Sequence, residues 1–563
     1  MYVDDKTTQY LIAMLKAYGI KHIVSSPGTQ NAGFNLSIQD DKDFKCYSII
    51  DERSAGYVAT GISFETNQPV ILTCTGATAS RNYLSSLTEA YYRKLPIIAL
   101  TYTHYSDKFN LEPQSIDRSI SQNDVKIMTI ELPVIDSDAD KDKCISYINA
   151  AITTAFVTRM PVHINVVNPP KLMSFTTKSL PNDFWITKLY DNNFEETKKE
   201  LSNKKIAIFI GEHKKFSTEE QYAISEFALS YNAAVFCDHT SNYHGANKIL
   251  ISQVTERCNV DCYSDIMIDI GGISGEYYSP KLFKKAKLWR ISEDRIYHRR
   301  YGKATQKLFV CKEVEFFSKL KADKKSAIKF FENIKNAVNN IKTPELPLCN
   351  ALICKNLAKY IPNNSSLHIS ILNSLRNMNF FKLDESIDVV CNVGGFGIDG
   401  PVSSAVGQSL ATDRKVFGLI GDLAFFYDMN AIGVRQIKNN LRLLIINNNR
   451  GQEFRLNPLL ESVYAEKSDK IVAAGGHNKG GAKGWAESCG FHYMTTSLKN
   501  ELEEKIKDFC TMKYNKPVLL EVFTTNEDEQ KGLTLMRGFN IVKQPKQKKV
   551  GIFKKIARRL KNG

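Results

Sequence analysis

An acid and an amide stand 26 residues apart in the last third of the chain, each just after a short apolar run. Asp422 follows Val416-Phe417-Gly418-Leu419-Ile420 and Gly421. Asn448 lies in Asn447-Asn448-Asn449-Arg450-Gly451, which follows Leu443-Leu444-Ile445-Ile446. Uninterrupted apolar runs of this length read as strands buried on both faces of a parallel sheet. In such sheets ligands collect at the carboxyl ends of the strands. A carboxylate from Asp422, an amide oxygen from Asn448 and a backbone carbonyl from Arg450 form the hard oxygen set that Mg²⁺ prefers, commonly shared with phosphates. A helical stretch from Leu423 to about Lys438 would aim its first amides at a diphosphate.

A second carboxylate with chemical potential is Glu52. The segment Asp51-Glu52-Arg53-Ser54-Ala55-Gly56 follows the strand-like Tyr47 to Ile50 and opens a helix. Partial burial raises a glutamate toward working pH and suits it to proton transfer. The same residue also fits a plain first-turn glutamate favoured by the helix dipole.

These residues need a scaffold, and the rest of the chain describes one. Strand-like runs such as Val70–Thr73, Ile97–Leu100, Ile206–Ile210 and Val518–Val522 alternate with helical stretches, which predicts α/β architecture with parallel sheets. The length of 563 residues exceeds one core. Three α/β blocks are expected, at 1–175, 185–340 and 345–535, with breaks at Asn168-Pro169-Pro170 and Thr343-Pro344. No apolar run reaches the roughly 18 residues of a membrane span, and the opening residues lack a secretory pattern. The twelve cysteines follow neither a disulfide nor a zinc rhythm, and Cys258 and Cys262 have no second pair to complete a site. A cytoplasmic protein with free thiols is expected.

The net charge is +15, but nine basic residues and no acids lie between Lys543 and Lys561; without them the balance is +6. That is a property of the tail, so nucleic acid is not an expected partner. Within the tail, 540–563, Phe553, Ile556 and Leu560 fall at helical spacing opposite lysines and arginines. The pattern is that of a basic amphipathic helix able to lie on an anionic membrane at the inner face.

In order along the chain, Ser26-Pro27-Gly28-Thr29-Gln30-Asn31-Ala32, Asp51-Glu52-Arg53-Ser54, Cys74-Thr75-Gly76 through Asn82-Tyr83-Leu84, Asn373-Ser374-Leu375, Gly397-Ile398-Asp399-Gly400 and Gly421-Asp422-Leu423 resemble the thiamine-diphosphate enzymes of the acetolactate synthase and pyruvate decarboxylase type. Within that superfamily the likeness is greatest to the 2-succinyl-5-enolpyruvyl-6-hydroxy-3-cyclohexene-1-carboxylate synthases of menaquinone biosynthesis. The resemblance implies aminopyrimidine-binding, middle and diphosphate-binding domains for the three blocks. It implies thiamine diphosphate and Mg²⁺ as cofactors. Glu52 would be the activating carboxylate, Asp422, Asn448 and the Arg450 carbonyl the metal ligands, and Gly421 and Leu423 part of the diphosphate turn, where Leu423 replaces the usual second glycine. Ile398 would sit under the bent cofactor. The family's active site lies between subunits, so a homodimer or homotetramer is implied.

The match weakens where that synthase grips its polyanionic substrates with arginines. Gln30, Val393 and a position near His104 stand where arginines are expected, and Met378 replaces another, with Arg376 close by; Gln114 and Ser374 do match pocket positions. Each lost charge-assisted contact costs about 1.5–3 kcal/mol. The expected activity is therefore decarboxylation or carboligation of a different 2-oxo acid, with acyl transfer to an acceptor. A thiamine-dependent lyase or hydrolase on a non-oxo-acid, and a weakly active partner subunit, are the alternatives. Gly271-Gly272-Ile273-Ser274-Gly275 leaves a nucleotide loop for FAD open, although glycine turns of α/β folds are commonly only turns.

Overall fold

The computed structural model describes residues 1–104, 122–169, 173–184, 195–292, 299–301, 303–309, 311–456 and 465–538. Gln114 and the basic tail from 539 onward lie outside these residues.

Three sheets account for the strands. In the first, the spatial order is Lys45–Ser48, His22–Ser25, Val70–Thr75, Ile97–His104, Val162–Asn168 and Met128–Leu132, with every pairing parallel. In the third it is Asp388–Val390, Ser366–Ile369, Val416–Gly421, Leu441–Asn447, Val518–Phe523 and His492–Thr496, again all parallel. Numbered along the chain within each block, both sheets read 2-1-3-4-6-5. The middle sheet reads Arg299–Arg300, Lys303–Phe309, Lys287–Ile291, Ile266–Ile270, Ile206–Ile210, Ala234–Cys237 and Lys248–Leu250. Its two-residue edge strand is the one antiparallel addition among the described strands. The α/β, parallel-sheet expectation holds for all three.

The strand cores follow from composition. Every residue of Ile206–Ile210 and Leu441–Asn447 is buried, as covering by helices on both faces requires.

Strand order locates the sites. In an open parallel sheet a crevice forms where the order reverses. In the first sheet this falls between His22–Ser25 and Val70–Thr75. In the third it falls between Ser366–Ile369, which runs into Ser370, and Val416–Gly421, which runs into Asp422. The acid found in the sequence thus sits at the switch point of its sheet.

Helix Glu52–Thr66 of the first block crosses helix Pro401–Ala411 of the third at backbone distance. A Cβ on Gly61 would lie 2.2 Å from the Ser404 carbonyl, and one on Gly407 would lie 2.2 Å from the Val58 carbonyl. At the far end, Arg414 pairs with Glu65 and Asp388 at 2.8 and 2.7 Å, and Lys215 of the middle block reaches Glu65 at 2.9 Å. Glycine contact and a charged clip hold the three blocks together.

No helix among the described residues is long and apolar enough to cross a membrane. All twelve cysteines are free thiols.

Candidate active site

Asp422 is only 1% exposed. Burial pushes its carboxyl up to about 7, against the pull of backbone N–H groups from Leu423, Asn449 and Arg450. Its Oδ2 has no hydrogen-bond partner in the protein, and neither has the buried Oδ1 of Asn448. Leaving a polar atom buried and unpaired costs about 1–3 kcal/mol, more when charged. Two hard oxygens left in this state at neighbouring strand ends suit a divalent cation.

The turn between them has room. A Cβ on Gly421 would meet nothing nearer than Ser370 Oγ at 4.0 Å. The Gly421 amide donates to that hydroxyl at 3.1 Å, and Ser370 donates in turn to Ser374 Oγ at 3.2 Å. Ser374 therefore belongs to the line that shapes the turn, and Ser370 is the member missed in the sequence. Leu423 is half-buried and lies beside the site of a Gly451 Cβ, at 3.4 Å.

The helix that Asp422 opens is shorter than expected. It ends at Tyr427, a 3₁₀ turn at Met429–Gly433 follows, and nothing helical reaches Lys438. Asp428 is the reason: its buried carboxylate turns away to accept from the Ser403 amide and hydroxyl at 2.7 and 2.6 Å, serving the first turn of the preceding helix, Pro401–Ala411, instead.

A loop absent from the sequence reading completes the wall. Gly451 N–H donates to the Ala473 carbonyl, while Gly476 and Asn478 N–H donate to Asn449, which laces residues 473–478 onto the Asn448 loop. His477 is thereby placed with Nε2 at 3.8 Å from Asp422 Oδ2. The Arg450 guanidinium turns to Asp469 at 2.5 Å, so its backbone rather than its charge faces Asp422.

Glu52 is the first residue of its helix, with Asp51 capping at the Arg53 and Ser54 amides. Its neighbour Arg53 donates to the Tyr427 carbonyl at 3.1 Å and lies 4.7 Å over the Tyr427 ring. The helix that begins with Glu52 and the helix that begins with Asp422 are tied together there. Ile398 is half-buried against the core shared by the first and third blocks. Its loop is held by Gly395 N–H on Glu89 Oε2 at 2.6 Å and by Asn392 on the Asp399 carbonyl at 3.1 Å.

The residues expected to touch substrate scatter. Gln30 is buried, and its side-chain oxygen accepts from Asn168 at 2.9 Å. His104 ends its strand directly opposite Asn168, so both lie at the carboxyl edge of the first sheet. Val393 is 0% exposed in the core of the third block and presents nothing to a ligand. Met378 is equally buried there, and Arg376 is engaged by Glu453 through 2.8 Å contacts to both carboxylate oxygens. In the middle sheet the glycine turn serves packing: a Cβ on Gly211 would lie 2.0 Å from the Gly272 carbonyl, and that carbonyl accepts from Arg300.

Two parallel sheets of identical strand order, a carboxylate–amide pair at a switch point and a glutamate opening a helix of the first block suit a thiamine-diphosphate-dependent enzyme, the class that both matching domain families describe. Residues 5–127 match the family described as thiamine pyrophosphate enzyme, N-terminal TPP binding domain, and residues 377–522 its C-terminal TPP binding domain. In particular, the chain is similar to 2-succinyl-5-enolpyruvyl-6-hydroxy-3-cyclohexene-1-carboxylate synthases. It is 29% identical to that of Phocaeicola vulgatus over 96% of this chain and 98% of the relative. It is 28% identical to that of Flavobacterium psychrophilum, over 93% and 97%.

Proposed function

We propose that the enzyme binds thiamine diphosphate through Mg²⁺ and uses it to decarboxylate a 2-oxo acid and pass the acyl unit to an acceptor. When bound, the cofactor supplies a nucleophilic carbon and an electron sink. The protein supplies the rest. Asp422 and Asn448 hold the cation, with the Arg450 carbonyl as a third oxygen, and Gly421 leaves space for the diphosphate. Ile398 would pack against the cofactor. Glu52 holds the proton that the cofactor's aminopyrimidine needs.

The observation that carries this reading is the pair of unpartnered buried oxygens, Asp422 Oδ2 and Asn448 Oδ1. The residues beyond it support a substrate different from that of the relatives, whose name describes a product with succinyl, enolpyruvyl and ring-carboxylate groups. Where arginines would grip such groups, Gln30 binds Asn168, and Val393 and Met378 are core.

We also place a second copy of the chain against the Glu52 face. Ile50 is 86% exposed two residues before Glu52, and Tyr427, in contact with Arg53, is 44% exposed. Apolar surface beside a catalytic carboxylate is consistent with burial between subunits.

The test is CO₂ release from a panel of 2-oxo acids by the full chain with cofactor and Mg²⁺. Release that requires both, and that is lost in Glu52→Gln, supports the proposal. Cofactor binding without release from any 2-oxo acid would overturn it.

A further inference from the structure

Arg376 stands beside the candidate cation site, and a carboxylate of the protein already pairs with it. The residue lies on helix Asn373–Met378, which begins four residues after the strand Ser366–Ile369 ends at the switch point. Ser374 on the same helix belongs to the Ser370–Gly421 line. Glu453 opens the short helix that follows the Asn448–Gly451 loop. The pair therefore bridges the two segments that flank the candidate cation site.

The geometry is that of a built contact. Arg376 Nη1 donates to both oxygens of Glu453 at 2.8 Å, its Nε reaches the Gly275 carbonyl at 3.4 Å, and the guanidinium lies 4.1 Å over the Tyr277 ring. The Asn373 amide, oriented to satisfy both of its ends, donates to Glu453 Oε2 at 3.1 Å and accepts from the Glu453 N–H at 3.0 Å. Both charged side chains are largely buried, at 8% and 18% exposure. The next cation in this corner, Arg537, is taken by Glu256. A small open pocket lies beside the pair, bounded by Tyr277, Asn373, Arg376, Glu453, Leu456 and Arg537.

We infer that Glu453 is a built-in counter-carboxylate that pairs with Arg376 and thereby disfavours substrates carrying a second carboxylate. A dicarboxylic 2-oxo acid entering this corner meets a guanidinium already paired with a protein carboxylate, and the negative charge of Glu453 five residues from Asn448. A monocarboxylic 2-oxo acid has no distal carboxylate to place against Glu453. Selectivity here comes from placing a like charge against the wrong ligand as much as from attracting the right one. The inference rests on the proposed function for the location of the substrate, but its binding test does not depend on turnover.

The test measures binding of two unreactive probes, glutarate and butyrate, by calorimetry to the full chain loaded with thiamine diphosphate and Mg²⁺. In Glu453→Gln, which keeps the side-chain size and frees the guanidinium, glutarate affinity should rise at least about tenfold relative to butyrate. Glu453→Ala, which also opens space, should raise it further. Adding Arg376→Met to Glu453→Gln should return the ratio to that of the parent. An unchanged glutarate-to-butyrate ratio in both single variants, or an equal gain for both acids, overturns the inference. Failure of CO₂ release with the glutarate gain intact counts against the reaction and not against the role of Glu453.

Discussion

The amide of Gly421 donates to the hydroxyl of Ser370 across 3.1 Å, linking the ends of two adjacent parallel strands at the switch point of the third sheet. Ser370 fixes where the chain turns after Ile420, and so where Asp422 projects. Ser370→Ala leaves the Gly421 donor without that acceptor, at a cost of about 1–2 kcal/mol. Titration calorimetry should show cofactor affinity lowered roughly tenfold. Parental affinity in this variant would mean that the turn holds its shape without the serine.

Glu52→Gln keeps the helix start and its Asp51 cap but removes the proton carrier. Cofactor binding should persist. Hydrogen–deuterium exchange at the thiazolium carbon, followed by NMR, should slow by about 10²–10⁴-fold. Exchange at the parental rate would remove Glu52 from the chemistry.

Glu529 predicts a pH dependence of stability. Burial pushes its carboxyl up to about 7, although Asn350 N–H and the Thr524 hydroxyl donate to it. The folded protein holds this proton longer than the unfolded chain does, so stability falls as pH rises from about 4.5 to about 7. The full cost, about 3 kcal/mol, is present above 7. In Glu529→Gln that loss should disappear. Melting curves from pH 4.5 to 8 should show the variant gaining on the parent as pH rises; parallel curves would contradict the assignment.

Docking of the first block on the third depends on a missing side chain. Gly407→Ala forces a Cβ toward the Val58 carbonyl, 2.2 Å away, and should lower the melting temperature through an overpacking cost of about 1–3 kcal/mol. Gly484→Ala is the control: it lies within helix Lys483–Ser488 with nothing inside 4 Å of its Cβ position, and should be neutral or stabilising by about 0.5–1 kcal/mol. Equal melting temperatures for the two variants would refute the close crossing.

The parts legible in the sequence were those encoded locally. Ile206–Ile210 is apolar at every position and is a strand with those bounds. Asp422 and Asn448 follow such runs, and the folded chain brings them to neighbouring strand ends. Long-range pairings left no local trace. Ser370 acts through a residue 51 positions away, Arg376 is claimed by a glutamate 77 positions on, and His477 arrives on a loop laced to Asn449. The helix after Asp422 is shorter than its periodicity predicts because Asp428 bonds to Ser403, a partner invisible to periodicity. Val393, placed by its distance from a glycine motif, packs in the core because its neighbours Leu375 and Met378 are apolar.

The most direct test is titration of thiamine diphosphate into the full chain and into Asp422→Ala, with Mg²⁺ and with chelator. The unpartnered Asp422 Oδ2 is the oxygen that a cation would meet. The parent should bind the cofactor only with Mg²⁺. Asp422→Ala should lose that binding, and Asn448→Ala, which removes a neutral ligand, should weaken it less. Equal cofactor affinity in the parent and Asp422→Ala would contradict the site.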